Sequence, residues 1–278
     1  MDTAEREDVA ALLARAAEVD GRQAVSEQGR LALRSGRAEV SHLTSRDEHG
    51  TLLGYAQIDG DRTAELVVDP AHRRLGHGRA LLLRTLAGGA QQLWAHGGHP
   101  GARRLAEESG LALVRELRQL RRTDAAPEAP ALPDGVTVRT FVPGKDEEAW
   151  LRVNAAAFAH HPEQGSWTRR DLDEREAEGW FDPNGFFLAE RNGELVGFHW
   201  TKAEGGLGEV YVVGVAPSEQ GSGLGKVLTA VGLRHLIEDR GLRTVLLYVD
   251  ADNPAALRVY ERAGFTVHEV DLMYGVRP

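Results

Sequence analysis

Glu209 and Tyr260 are the side chains of this sequence whose types and surroundings best suit proton transfer. A carboxylate at Glu209 can take a proton from an ammonium group, directly or through water, and a phenol at Tyr260 can give one to a departing thiolate. Between them lies Gln220-Gly221-Ser222-Gly223-Leu224-Gly225-Lys226. It follows the apolar run Val213-Gly214-Val215 and leads into a helical pattern with Leu224, Val227, Leu228 and Val231 on one face. Glycines in such a turn let backbone N–H groups point inward with no Cβ in the way, and the helix start adds unpaired donors and positive dipole. That combination suits a pyrophosphate. It matches neither G-x-x-x-x-G-K-[ST] nor G-x-G-x-x-G, which disfavours a Walker nucleotidase and a Rossmann dinucleotide site.

The pattern occurs twice. The first half has Leu66-Val67-Val68-Asp69-Pro70 and then Arg73-Arg74-Leu75-Gly76-His77-Gly78-Arg79. In each copy a proline, Pro70 or Pro217, stands six positions before the first glycine of G-x-G, Gly76 or Gly223. His99-Pro100 stands eleven positions before Gly110, and Asn253-Pro254 before Gly264, with His99 and Asn253 as the reference points. Two motifs in the same order mark an internal duplication. Thr123–Asp134, with three prolines and no periodicity, reads as a linker. The expected organisation is therefore 1–122, a linker at 123–134, and 135–278.

Comparing the copies points to one working site. Seven positions after Asn253 stands Tyr260, and seven after His99 stands Ala106. Fourteen positions before Gly223 stands Glu209, and fourteen before Gly76 stands Arg62, which stays protonated and cannot act as a base. Each assignment has a plainer alternative: Tyr260 as a packed helix tyrosine, Glu209 as a solvated strand carboxylate. His160-His161 invites a metal reading, but adjacent histidines rarely ligate one ion and no partner stands at clear ligand spacing, so no metal is expected.

The elements that must position these residues are those of an α/β unit. In the second half, strands are expected over Val136–Phe141, Glu209–Val215, Arg243–Val249 and Phe265–Tyr274. Phe186–Ala189 and Leu195–Thr201 form a hairpin around Arg191-Asn192-Gly193. Helices are expected over Asp146–Phe158, after Gly223, and over Pro254–Ala263. The first half shows the series more faintly: a helix near Ala4–Ala16, a hairpin through Leu52–Ile58, and a strand at Glu65–Val68.

Composition narrows the classes. The 278 residues suit two domains, and 42% hydrophobic with 27% charged residues describes an ordinary globular chain. A net charge of −9 argues against a nucleic-acid partner. With no cysteine there is no disulfide, thiolate zinc site or cysteine nucleophile, so direct transfer is expected over a covalent enzyme intermediate. The acidic start has no apolar h-region and no run of about 18 apolar residues occurs, so the expectation is a cytoplasmic protein with no membrane partner.

Together, a V-x-V strand, [RQ]-x-x-G-x-[GA], and N-x-x-A-x-x-x-Y-x-x-x-G-F resemble the GNAT acetyltransferase superfamily. Here they are Gln220, Gly223 and Gly225, then Asn253, Ala256, Tyr260, Gly264 and Phe265. The resemblance implies two tandem GNAT (acyl-CoA N-acyltransferase) domains, each a mixed, mostly antiparallel sheet flanked by helices. It implies acetyl-CoA as co-substrate, its pyrophosphate on Gln220–Lys226 and its pantetheine beside Val213, Gly214 and Val215. Asn253, Pro254, Ala255, Ala256, Leu257 and Arg258 would contact it from the opposite side. In the first copy the corresponding residues are Leu66, Val67 and Val68, then Arg74, Leu75, Gly76, His77, Gly78 and Arg79.

Segments outside the shared core carry the resemblance further. Phe158–Gly165, Trp180-Phe181-Asp182-Pro183, His199-Trp200-Thr201-Lys202, Gly208–Val215 and Leu247–Asn253 are similar to the tandem-GNAT mycothiol synthase family of actinobacteria. That implies acetylation of the cysteinyl amine of a cysteinyl-glucosaminyl-inositol, a small amino-sugar/inositol substrate. Glu209, Tyr248, Glu163, Lys202 and Glu27 would be its contacts. Two fused copies can mimic a GNAT dimer, so a monomer is expected. The alternatives are a tandem GNAT acting on an aminoglycoside or a protein N-terminus, and a non-catalytic acetyl-CoA sensor.

Overall fold

The structure, a computed structural model, describes residues 1–161 and 163–276. Pro162, within one of the segments quoted above, and Arg277 and Pro278 lie outside the described residues. In chain order the first half forms α1 (Thr3–Asp20), α2 (Glu27–Ser35), β1 (Ser41–Arg46), β2 (Leu52–Ile58), β3 (Thr63–Val68), α3 (His77–Ala87), β4 (Gln92–Ala95), α4 (Pro100–Glu108) and β5 (Ala112–Arg122). After a stretch without regular structure come β6 (Val136–Thr140), α5 (Glu147–Ala157), α6 (Arg169–Glu176), β7 (Phe186–Arg191), β8 (Glu194–Glu204) and β9 (Leu207–Val215). The chain ends with α7 (Leu224–Arg234), β10 (Val245–Asp250), α8 (Pro254–Arg262) and β11 (Thr266–Gly275).

Two compact units result, and they are not the two sequence halves. Unit 1 holds Met1–Arg118 with Asp250–Asn253 and Glu269–Pro278, and unit 2 holds Gln119–Val249 with Pro254–His268. The strand order is β1-β2-β3-β4-β11 in unit 1 and β10-β9-β8-β7-β6 in unit 2, and β5 is divided, Ala112–Arg118 to unit 1 and Gln119–Arg122 to unit 2. Unit 1 thus takes the greater part of β11, the last strand of the second half. In unit 1, Leu272 of β11 pairs with Ala95 and Met273 with Trp94 of β4. The segment linking Asp250 to unit 1 is held by Arg115, whose guanidinium donates to both Asp250 oxygens at 2.6 and 3.0 Å.

Local chemistry sets the element ends. Asp2 and Glu5 close a reciprocal capping box on α1, which stops at Gly21 in the left-handed region. Thr168 and Asp171 do the same for α6. Asn192 and Gly193, both at positive φ, turn β7 into β8. Leu52–Ile58, expected as a hairpin, is instead the single strand β2, buried at every position, and its hairpin partner is β1. A strand covered on both faces shows no alternation, and the turn was therefore misplaced.

Aromatic residues build the core of unit 2. Phe186 stacks on Trp200 with centroids 4.5 Å apart, and Trp150 meets Trp200 edge-on at 5.7 Å. Trp150 and Trp200 are fully buried, so truncating either costs about 3–5 kcal/mol. Unit 1 packs α1, through Val9, Leu12, Leu13 and Ala16, against Tyr55 and Val67 of its sheet. No helix among the described residues is long and apolar enough to cross a membrane.

Candidate active site

In unit 2 the parallel strands β9 and β10 share only two rungs, Gly208 with Val245 and Glu209 with Leu246. Beyond Glu209 they part, and Val213, Gly214 and Val215 lie on the separated stretch of β9. A split between parallel strands exposes backbone groups that a sheet normally consumes, and an extended ligand can use them. Gly223 precedes α7 at φ +87° with open space around its α-carbon, and no side chain caps the helix there. The glycine is required by its dihedral, not by crowding. Ser222 Oγ accepts from the Leu224 N–H at 3.3 Å, which helps shape the turn.

Across β8–β9, Glu209 sits directly opposite Lys202, and the ladder slips between Trp200 and Thr201. Trp200 pairs with Val212 but Thr201 pairs with Val210, leaving Tyr211 as the extra residue of a β-bulge. Lys202 is buried, with its Nζ 4.7 Å from the Trp180 ring centroid and 3.0 Å from Glu204. Tyr260 lies half-buried on α8, edge-on to Phe265 at 5.9 Å. Burial pushes its phenol up to about 12, so it holds its proton through the working pH range.

The remaining residues of the sequence reading divide. Tyr248 on β10 is 41% exposed, and its hydroxyl accepts from Gln119 Nε2 at 2.8 Å. Asn253 immediately precedes α8, whose first turns carry Pro254, Ala255, Ala256, Leu257 and Arg258. Leu257 and Leu224 are buried in hydrophobic clusters, so their side chains serve the core and only their backbones can meet a ligand. Glu163 is exposed before a short turn at Gln164–Ser166. Glu27 opens α2 in unit 1 and is half-buried.

Unit 1 repeats the split. β3 and β4 share three rungs ending at Glu65 with Trp94. A cavity of about 430 Å³ follows, lined by Leu66, Val67, Val68, Arg74, Gly76, Gly78 and Arg79, with Ala95, His96 and Ala106 opposite. Gly76 has φ +89°, as Gly223 does. Leu75 and His77 flank it, Leu75 two-thirds exposed.

Register corrects one comparison between the copies. Val68, Val67, Leu66, Glu65 and Ala64 pair in order with Gly54, Tyr55, Ala56, Gln57 and Ile58, with no bulge. Matching rung for rung against β8–β9 sets Glu65 with Val212, Ala64 with Val210 and Thr63 with Glu209. The counterpart of Glu209 is therefore Thr63, not Arg62, which lies in the β2–β3 turn at φ +61°. Equal counting failed because β9 carries one residue more.

A polar network that sequence reasoning missed fills the head of the unit 1 split. His96 lies 2.7 Å from Glu65 and 3.2 Å from Asp271 of β11. Glu65 also accepts from the Ser26 N–H and hydroxyl and from Gln57. Burial works to lower the His96 pKa, but the bonds to Asp271 and Glu65 outweigh it and raise it to about 9. Burial likewise works to raise Glu65, and the bonds from His96, Ser26 and Gln57 hold it below its ordinary value. The signal for this network is non-local, because Asp271 stands 175 positions from His96 in the chain. Among the described residues, no group of three or more His, Asp or Glu could hold a metal ion.

A mixed sheet split between two parallel strands, with a glycine turn and helix start beyond the split, defines a GNAT acetyltransferase. Residues 151–265 match the Acetyltransferase (GNAT) family model. The chain is 63% identical to the mycothiol acetyltransferase of Streptomyces avermitilis over 96% of its length and 90% of that protein, and 63% identical to that of Streptomyces coelicolor over the same shares. It therefore belongs to the mycothiol acetyltransferase family. A tandem GNAT protein from the clavulanic acid biosynthesis pathway has the same fold, with a TM-score of 0.75 at 20% identity, covering 99% of this chain and 95% of that one.

Proposed function

We propose that this chain transfers an acetyl group from acetyl-CoA to the cysteinyl amine of a cysteinyl-glucosaminyl-inositol, giving mycothiol, and that turnover occurs at the β9–β10 split. The observation that carries the reading is the 63% identity to mycothiol acetyltransferases over nearly the whole chain, joined to a carboxylate on the last rung of that split. Acetyl-CoA, when bound, supplies the thioester carbonyl. The residues fit it: the turn Gln220–Lys226 offers backbone donors to its pyrophosphate, and β9 from Val213 to Val215, paired with β8 on one edge, offers its other edge, beyond the last β10 rung, to its pantetheine.

Glu209 takes the proton of the substrate ammonium, because a protonated amine has no lone pair to attack with. Tyr260 keeps a proton for the departing sulfur. Lys202, Tyr248, Glu163 and Glu27 are assigned to the hydroxyls and amine of the sugar and inositol. The first loop is assigned acetyl-CoA without turnover, since Thr63 and Ala106 stand where Glu209 and Tyr260 stand in the second copy. One chain with two GNAT domains is taken as the working unit, in the cytoplasm.

The test is turnover of the purified chain with acetyl-CoA and a panel of amines, followed by CoA release. Preference for the cysteinyl-glucosaminyl-inositol amine is expected. Preference for an aminoglycoside or a peptide N-terminus would replace the substrate, and acetyl-CoA binding without turnover of any amine would replace the enzyme with a sensor.

A further inference from the structure

The bulge that separates unit 2 from its first-half counterpart has a partner that neither the sequence motifs nor the proposed chemistry uses. Arg175 on α6 is 3% exposed, and a buried guanidinium is costly unless its donors are satisfied. Its Nε donates to the Tyr211 hydroxyl at 2.7 Å, and its Nη1 donates to the Asp171 carbonyl at 2.8 Å. Its central carbon lies 3.8 Å from the Trp167 ring centroid. Tyr211 is the extra residue of the bulge, and its ring packs against Trp180 at 4.9 Å and Trp200 at 5.3 Å.

Side chains alternate faces along a strand, so one added residue reverses the facing of everything on one side of it. Glu209 and Val210 lie on one side of Tyr211, and Val212–Val215 on the other. If the strand relaxed to the regular register of β3, the residue opposite Lys202 would change and the Glu209 carboxylate would turn to the other face. Lys202 meets the same wall, with its Nζ 5.7 Å from the Tyr211 ring centroid. One phenol therefore touches both the cation opposite Glu209 and the buried guanidinium on α6.

We propose that Arg175 and Tyr211 form a clamp on the β9 bulge and act as positioning residues for Glu209. The proposal rests on Glu209 being the proton acceptor. The clamp works through the direction of the carboxylate and touches neither the thioester nor the amine.

The test compares Tyr211→Phe and Arg175→Met in the unmodified chain and in a Glu209→Gln background. The readouts are kcat, KM for the amine, acetyl-CoA affinity by titration, and Tm. Tyr211→Phe keeps the ring and loses only the hydroxyl, so it is the variant that stays folded if Arg175→Met does not. The expected result is a fall in kcat of about tenfold for Tyr211→Phe, unchanged acetyl-CoA affinity, and no further fall when Gln already occupies position 209. Losses that multiply in the Gln background overturn the clamp, as does unchanged kcat, or a parallel loss of kcat, acetyl-CoA affinity and Tm. Any amine that the unmodified chain acetylates serves for the comparison, so a wrong substrate leaves the test intact. If the chain acetylates no amine, or Glu209→Gln costs nothing, the functional reading fails first and the clamp falls with it.

Discussion

Glu209 pairs with Leu246 on the last rung that β9 and β10 share. The carboxylate-bearing residue thus stands where two parallel strands stop being a sheet and become the walls of a cleft. The last rung of the unit 1 split holds Glu65, opposite Trp94 and two residues beyond Thr63, the strand counterpart of Glu209, and the consequence is different. Glu65 receives four hydrogen bonds, from the Ser26 N–H and hydroxyl, Gln57 and His96. A carboxylate held ionised by that many donors is a poor proton acceptor, because protonation would break bonds that the ionised form keeps. Two features support the proposal that the first copy does not turn over: Thr63 replaces Glu209, and the carboxylate it does hold is consumed by structure.

Glu209→Gln keeps the size and the strand pairing and removes the proposed proton acceptor. A fall in kcat of at least about a hundredfold is expected, with acetyl-CoA affinity unchanged. Steady-state rates across pH 5–9 with a direct acetyl-CoA titration check this. Near-normal turnover would remove Glu209 from the mechanism.

Tyr260→Phe keeps the edge contact with Phe265 and loses the proton. Slower transfer with nearly unchanged Tm and acetyl-CoA affinity is expected. Since burial raises the phenol to about 12, the unmodified chain should show no alkaline limb from this group below about pH 10. A limb near pH 8 that disappears in the Phe variant would contradict the burial argument.

The glycine turns, the flanking strands and the helix starts were legible in the sequence because each is a local choice: glycine for positive φ, apolar alternation for a strand, proline at the first turn of a helix. What could not be read was set by pairing. The residues of β11 read as strand whichever partner they join, so the pairing that seats Leu272 beside Ala95 leaves no mark in the sequence. The Tyr211 bulge is equally silent, since an extra residue shows only when its rungs are counted. That is why Arg62 stood in for Thr63. The ion pairs of Arg115 with Asp250 and of His96 with Asp271 join positions far apart in the chain and belong to the same class of information.

The His96 network makes stability depend on pH in a defined direction. Its folded pKa, about 9, lies above the ordinary histidine value of 6.5. The folded chain therefore keeps a proton that the unfolded chain has released between those values. This contribution is complete below about pH 6.5 and is lost as pH rises through 9, at up to about 1.4 kcal/mol per pH unit. Glu65 and Asp271, held below their ordinary values, act oppositely and lose their contribution in acid. In urea unfolding between pH 6.5 and 9, His96→Gln should be less stable at the lower end by about 3 kcal/mol and should show a flatter decline. Parallel slopes in the two proteins would mean that His96 is not the group responsible.

Gly76 and Gly223 allow the two loops to be tested separately. Both sit near φ +90° with open space around them, so valine at either position strains the backbone without clashing with a neighbour. Gly223→Val is expected to abolish turnover and remove acetyl-CoA from the second loop. Gly76→Val is expected to leave turnover within about threefold of normal while removing acetyl-CoA from the first loop, because the chemistry assigned here uses only Glu209 and Tyr260. Titration of acetyl-CoA into each variant, read as sites per chain, separates the outcomes. A Gly76→Val chain that binds as many molecules as the unmodified one would show that the unit 1 cavity holds no acetyl-CoA, whatever its glycine turn resembles. A chain that loses turnover as well would show that the first loop contributes to the reaction and is not a passive copy.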